Sequence, residues 1–173
     1  MIDQEIEQTA GTSVQISPTD ERFMRLAIDK ARAGIAAGQS PFGACIVRGA
    51  AVISCEHNGV LATTDSTAHA EVTAIRTACR ALATIDLSAC TIYSTCEPCP
   101  MCFSACYWAR LSRIVFGVRS ADSARIGFGE LQIAATVMKE LGRSPAELVG
   151  DCLREENRAL MEHWLQCGVR HAY

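Results

Sequence analysis

Apolar residues recur along this chain with two different periods. Phe23, Leu26, Ala27, Ala31 and Ile35 fall at helical spacing. Ser17 stands before them as an N-cap, Pro18 suits the first helical position, acids fill the first turn, and Gly38 is a stop signal. Residues 44–47 and 51–55 are short apolar runs separated by a turn near Gly49, which predicts a β-hairpin. Val72, Ile75, Cys79 and Leu82 define a second helix, opening at His69 after the polar stretch 63–67. Residues 89–95 predict a strand that runs straight into a cysteine-rich helix ending near Arg110, with another strand at 113–118. Strand, helix and strand in this order predict a βαβ unit in an α/β fold. Beyond the Gly127-Phe128-Gly129-Glu130 bend, Leu131, Ala134, Met138 and Leu141 predict a helix that Gly142 and Pro145 terminate. A last strand is expected within 148–153, and an amphipathic helix over 154–167 with Leu160, Met161, Trp164 and Leu165 on its apolar side. Residues 1–16 are polar and aperiodic and predict a flexible arm. The remainder, 17–173, shows no repeat, low-complexity tract or linker, and is expected to form one domain.

Composition narrows the setting. Sixteen basic and nineteen acidic residues give a net charge of −3, with an isoelectric point near 5.8. That balance argues against a chain whose main task is gripping nucleic acid. No run approaches the ~18 apolar residues of a membrane span. Residues 1–17 lack the basic and apolar regions of a signal peptide. Ten cysteines are many for this length. Cys45, Cys55, Cys79 and Cys90 sit in strand- or helix-like apolar contexts, as expected of buried thiols in a reducing, cytoplasmic compartment.

The candidate chemistry lies between residues 69 and 102. His69-Ala70-Glu71 opens one helix, and Pro98-Cys99-Pro100-Met101-Cys102 opens another. One imidazole and two thiolates are the ligand set of a catalytic zinc, which keeps a fourth position open for water and lowers its pKa to about 7. Glu71 is then free to shuttle protons. Cys99 and Cys102, three apart, share a helix face, and Pro98 suits the first helical position. His69 and Glu71, two apart, do not share a face. They meet at one ion only if the site lies at the tip of their helix, where the chain is still opening. A four-cysteine structural site from Cys96, Cys99, Cys102 and Cys106 is the main alternative, and buried thiols with no metal are another.

The spacing H-x-E followed by P-C-x-x-C is an established signature of zinc-dependent nucleobase deaminases. Residues 69–76, 96–102 and 107–110 resemble the cytidine deaminase superfamily, and within it the bacterial guanine deaminase branch. The similarity is strongest from Ser40 to Glu130. It implies a three-layer α/β/α sandwich around a mixed five-stranded sheet, usually in a homodimer, and hydrolysis of guanine to xanthine and ammonia. By position, His69, Cys99 and Cys102 would bind Zn2+ and Glu71 would move protons. Asn58 would hold the base, although Asn58-Gly59 on its own is equally a turn signal. Phe42 and Trp108 would line the base pocket, with a place as ordinary core aromatics as the alternative. Glu130 would hold the purine and assist proton transfer, against a solvated residue opening a helix. Tyr173 would close the site, in cis or from a partner subunit. Guanosine, cytosine and s-triazine amines are alternative substrates. A tRNA adenosine deaminase shares the zinc motif but needs a basic surface, which this acidic chain does not advertise. A zinc-stabilised binding module would need no free carboxylate at Glu71.

Overall fold

A capping box starts the first helix. The Ser17 hydroxyl accepts from Asp20 N–H at 3.1 Å, and the Asp20 carboxylate accepts from Ser17 N–H at 2.9 Å. Helix α1 (Pro18–Ala36) follows, burying Phe23, Met24, Ala27, Ile28, Ala31 and Ile35 along one face. The computed structural model describes residues 15–168. Residues 1–14 of the expected arm and Tyr173 lie outside them.

The chain continues through the hairpin β1 (Gly43–Arg48) and β2 (Ala51–His57), the short α2 (Val60–Thr63) and α3 (Ala70–Leu82). Then come β3 (Thr91–Cys96), α4 (Pro100–Trp108), β4 (Arg113–Val118), the short α5 (Ser120–Arg125), α6 (Ala135–Leu141), β5 (Glu147–Val149) and α7 (Arg154–Gln166). The five strands form one sheet in the order β2-β1-β3-β4-β5. Strand β1 is antiparallel to both β2 and β3, while β3, β4 and β5 run parallel. This is the mixed five-stranded sheet that the sequence resemblance implies.

Side chains alternate between two apolar layers, as a sheet covered on both faces requires. Ala44, Ile46, Ile92 and Ile114 join the layer under α3 and α4. Cys45, Val47, Tyr93 and Val115 join the one under α1. Helix α7 lies on the α1 side, close against β4. A Cβ on Gly117 would meet the Asn157 side chain at 2.2 Å and Thr95 O at 2.6 Å, so any larger residue would push α7 off the strand. No helix among the described residues is long and apolar enough to cross a membrane.

Two predicted elements are shorter in the structure. The helix expected from Leu131 begins at Ala135, because Ala134 is extended (ψ 145°) and forms its N-cap. Leu131 is exposed in the preceding loop. The last strand ends at Val149, since Asp151 and Leu153 take positive φ (65° and 49°) and turn the chain into α7. Helices α2 and α5 are too short to leave a readable period.

Candidate active site

The metal-ligating residues gather where β3 ends and α3 and α4 begin. His69 is the N-cap of α3, still extended at φ −60°, ψ 153°. Because it precedes the first helical turn, its ring reaches the same place as groups farther along the helix. Cys99 is the N-cap of α4, at φ −60°, ψ 167°, and Pro100, not Pro98, occupies the first helical position. A residue before proline is steered away from helical backbone angles, which keeps Cys99 extended and moves the helix start two residues on from Pro98. Cys102 lies fully buried in the first turn.

The His69 Nδ1 atom is 3.8 Å from Cys99 Sγ and 3.5 Å from Cys102 Sγ. All three ligand atoms lie within 4.8 Å of one another, and they are the metal-ligand cluster among the described residues. Tetrahedral bonds of about 2.3 Å to sulfur and about 2.0 Å to nitrogen place such atoms about 3.5 Å apart, so the donors fit zinc in both chemistry and spacing. Cys96 and Cys106 do not join the cluster, which rules out the four-cysteine arrangement. The hydrogen bond from Cys102 pulls the Cys99 thiol down to about 4, helped by His69 and opposed by burial. Cys99 is thus the more readily ionised of the two sulfur ligands.

Glu71, the second residue of α3, is 5% exposed. Burial, reinforced by the negative charge of Cys99, raises its carboxyl above the ordinary range, against the pull of His69. The Ser94 hydroxyl, pointing from β3, donates to Glu71 Oε1 at 3.1 Å.

A pocket of about 250 Å³ opens beside the ligands, walled by Phe42, His69, Cys99, Phe128 and Glu130. Phe42 and Phe128 meet edge to face at 4.7 Å, and Trp164 of α7 backs Phe128 at 5.2 Å. Glu130 lies in the loop before α6, not in a solvated first turn. Its Oε2 is buried without a hydrogen-bond partner among the described residues. Burial raises its carboxyl to about 7, with help from the charges on Cys99 and Glu71. Asn58 is completely buried at the end of β2. Its N–H donates to Phe42 O at 2.9 Å, and its Oδ1 accepts from Val60 N–H at 3.1 Å. The turn role of Asn58 is therefore present, and the same bonds tie it to the pocket wall.

Trp108 is not brought to this site. It is 78% exposed, stacked edge-on with Tyr107 at 6.0 Å, and lines a separate groove of about 840 Å³. Six residues after Cys102, it lies about 9 Å farther along α4 and about 240° around it. Phe128 supplies the second aromatic wall instead. The sequence signal was its place between two glycines and next to Glu130. Ser94 and Glu97 carry no signal in the sequence, because nothing local distinguishes a strand serine or a loop glutamate whose partners are distant in sequence.

Comparison with known proteins agrees with this geometry. Residues 17–118 match the model of the cytidine and deoxycytidylate deaminase zinc-binding region. The guanine deaminase of Bacillus subtilis is 43% identical over 128 residues, covering 73% of this chain and 79% of that protein. The solved guanine deaminase from Nitrosomonas europaea superposes with a TM-score of 0.80 at 32% identity, covering 89% of this chain and 87% of that one. The tRNA-specific adenosine deaminase of Bacillus subtilis is 35% identical over 137 residues, covering 79% of this chain and 83% of its own. With the motif, the ligand geometry and the sheet order in agreement, the chain belongs to the zinc-dependent cytidine and deoxycytidylate deaminase family.

Proposed function

We propose that this protein is a hydrolytic deaminase of a free purine base, converting guanine and water to xanthine and ammonia. The observation that carries the substrate is Glu130. A second carboxylate, half-buried and with its Oε2 buried and unpartnered among the described residues, lines the aromatic pocket next to the metal ligands. Guanine presents N–H donors at N1 and at its 2-amino group, which a carboxylate can accept. Phe42 and Phe128 offer flat apolar surface to the ring.

His69, Cys99 and Cys102 hold zinc. When bound, the ion would supply a Lewis acid that makes water acidic enough to give up a proton near neutral pH. Glu71 takes a proton from the attacking water and delivers it to the ring nitrogen beside the amine-bearing carbon; it then takes the second proton from the added hydroxyl and hands it to the amine, so that the C–N bond breaks to ammonia and a carbonyl remains. Burial suits it to carry that proton between transfers. Ser94 fixes the carboxylate's orientation through the hydroxyl it donates. Asn58 and Glu130 hold the base, with Phe42 and Phe128 as walls.

The direct test is ammonia release by the zinc-loaded protein, with Glu71→Ala as the blank. The panel is guanine, guanosine, cytosine, cytidine, adenine, adenosine and an s-triazine amine. Guanine turnover well above the rest is expected; a different preferred substrate would overturn the guanine assignment. Failure of every small molecule, with turnover of a tRNA anticodon stem-loop, would move the protein to the tRNA adenosine deaminases.

The protein acts as a homodimer on this reading. Ile85 and Trp108 are 82% and 78% exposed and line the large groove with Tyr107, an apolar surface suited to a second copy. A sedimentation mass of one 18.6 kDa chain would overturn the dimer. All ten cysteines are unpaired, in keeping with a reducing, cytoplasmic setting.

A further inference from the structure

The turn that carries Cys99 also carries a buried carboxylate that the reaction above does not use. Glu97 is 3% exposed, and its backbone N–H donates to Val118 O at 2.8 Å. Its Oε1 accepts from the N–H of Ala135, the first residue of α6, at 2.8 Å. Its Oε2 accepts from the N–H of Ser120, the first residue of α5, at 3.1 Å, and from the Ser120 hydroxyl at 3.3 Å. The N-cap of α6 is Ala134, which has no side-chain acceptor, so Glu97 supplies from across the fold what the helix lacks locally.

Ser120 and Ala135 bracket the stretch that contains Phe128 and Glu130. One side chain therefore fastens both ends of the pocket-forming segment to a turn that lies two residues from a zinc ligand. Charge-assisted bonds of this kind, made in a buried setting, are among the stronger ones available to a protein. We propose that Glu97 is a positioning residue that couples the metal loop to the substrate segment: closure of the ligands around zinc holds the turn, and Glu97 passes that order to residues 120–135. The proposal rests on the assignment of Phe128 and Glu130 to the purine pocket. Glu97 itself touches neither substrate nor metal.

The consequence is a split between binding and chemistry. Glu97→Gln replaces one acceptor oxygen with an N–H donor that faces another N–H. Guanine KM is expected to rise roughly tenfold or more, while kcat changes less and zinc content stays at one ion per chain. Ala135→Pro is the second variant. It removes the α6 donor at a position where proline is tolerated, and the extended Ala134 before it suits proline. It should shift KM in the same direction, and it keeps the proposal testable if Glu97→Gln fails to fold.

Amide hydrogen exchange gives a readout that needs no substrate. In the wild-type chain, removing zinc by chelation should speed exchange across 120–135. In Glu97→Gln, that segment should exchange about as fast with zinc as without it. Equal protection of 120–135 in loaded and stripped wild type would overturn the coupling, as would variants that lower the melting temperature but leave KM unchanged. If guanine is not the substrate, the turnover assay fails in the wild type, while the exchange experiment still decides the coupling.

Discussion

Buried carboxylates occupy both ends of the parallel strands, under opposite conditions. At the starting end, Asp20 of α1 is surrounded by donors. Tyr93 donates to it at 2.8 Å, Arg113 at the start of β4 pairs with it, and Arg113 Nε also binds Glu147 of β5 at 2.6 Å. Burial alone would raise the Asp20 carboxyl, but hydrogen bonds from Arg113, Ser17 and Tyr93 outweigh it and hold the group well below its ordinary range. At the finishing end, Glu71 and Glu130 have no arginine partner among the described residues, and burial drives both upward. The same residue chemistry thus serves two purposes. Where cations satisfy it, a carboxylate locks α1 to the sheet. Where they are withheld, it is left ready to exchange protons and to accept a ligand's donors.

Removing the unsatisfied acid at the centre of the chemistry should have the largest effect. Glu71→Ala is expected to lower ammonia release by roughly 10²–10⁴-fold or more while keeping zinc and fold. Metal analysis and circular dichroism check the second half, and substantial residual turnover would sink the mechanism. Cys99→Ala, by contrast, should lose the metal.

The mirror-image change at the other end should cost stability instead. Asp20→Ala leaves Arg113 partly stripped of its buried partner, at a cost of about 3–5 kcal/mol in a denaturant titration. Activity per folded molecule should not change. A drop in kcat with stability intact would break the contrast between the two ends.

Acid titration sharpens it further. The folded carboxyl of Asp20 titrates below the unfolded one, so the native state binds fewer protons and its stability rises with pH. This contribution is complete above the unfolded value of about 4 and is lost as the pH falls below it. Denaturation midpoints should fall steeply for wild type as the pH drops below about 4, and less steeply for Asp20→Asn.

Glu130→Gln should reduce purine turnover roughly tenfold, the scale of one lost charged contact. Its stability should hold or rise slightly, because an unpartnered buried carboxylate is removed. Near-wild-type kinetics would exclude Glu130 from substrate binding. Smallest of all, Trp108→Ser should leave single-site turnover within about twofold, since an exposed side chain away from the pocket carries little of either property. Its effect belongs in the sedimentation profile.

Periodicity and local signals determined a good deal by themselves. Ser17 and Pro18 set the start of α1, the short apolar runs set the strands, and two short motifs named the metal ligands, because ligand chemistry restricts residue type and spacing so tightly. The charged network around Asp20 was invisible, since Asp20, Tyr93, Arg113 and Glu147 come from four separate elements. The position of Trp108 was hidden for a related reason: a motif records neighbours along the chain, whereas helical phase and length carry this ring to the far end of α4, away from the ligands of its own chain. Phe128, Ser94 and Glu97 acquired their roles only when strand β3, the loop after β4 and the start of α6 came together. What the chain could state alone was the chemistry held within one turn of a helix. Which groups would be satisfied, and which left exposed to a substrate, was decided by contacts between segments far apart in sequence.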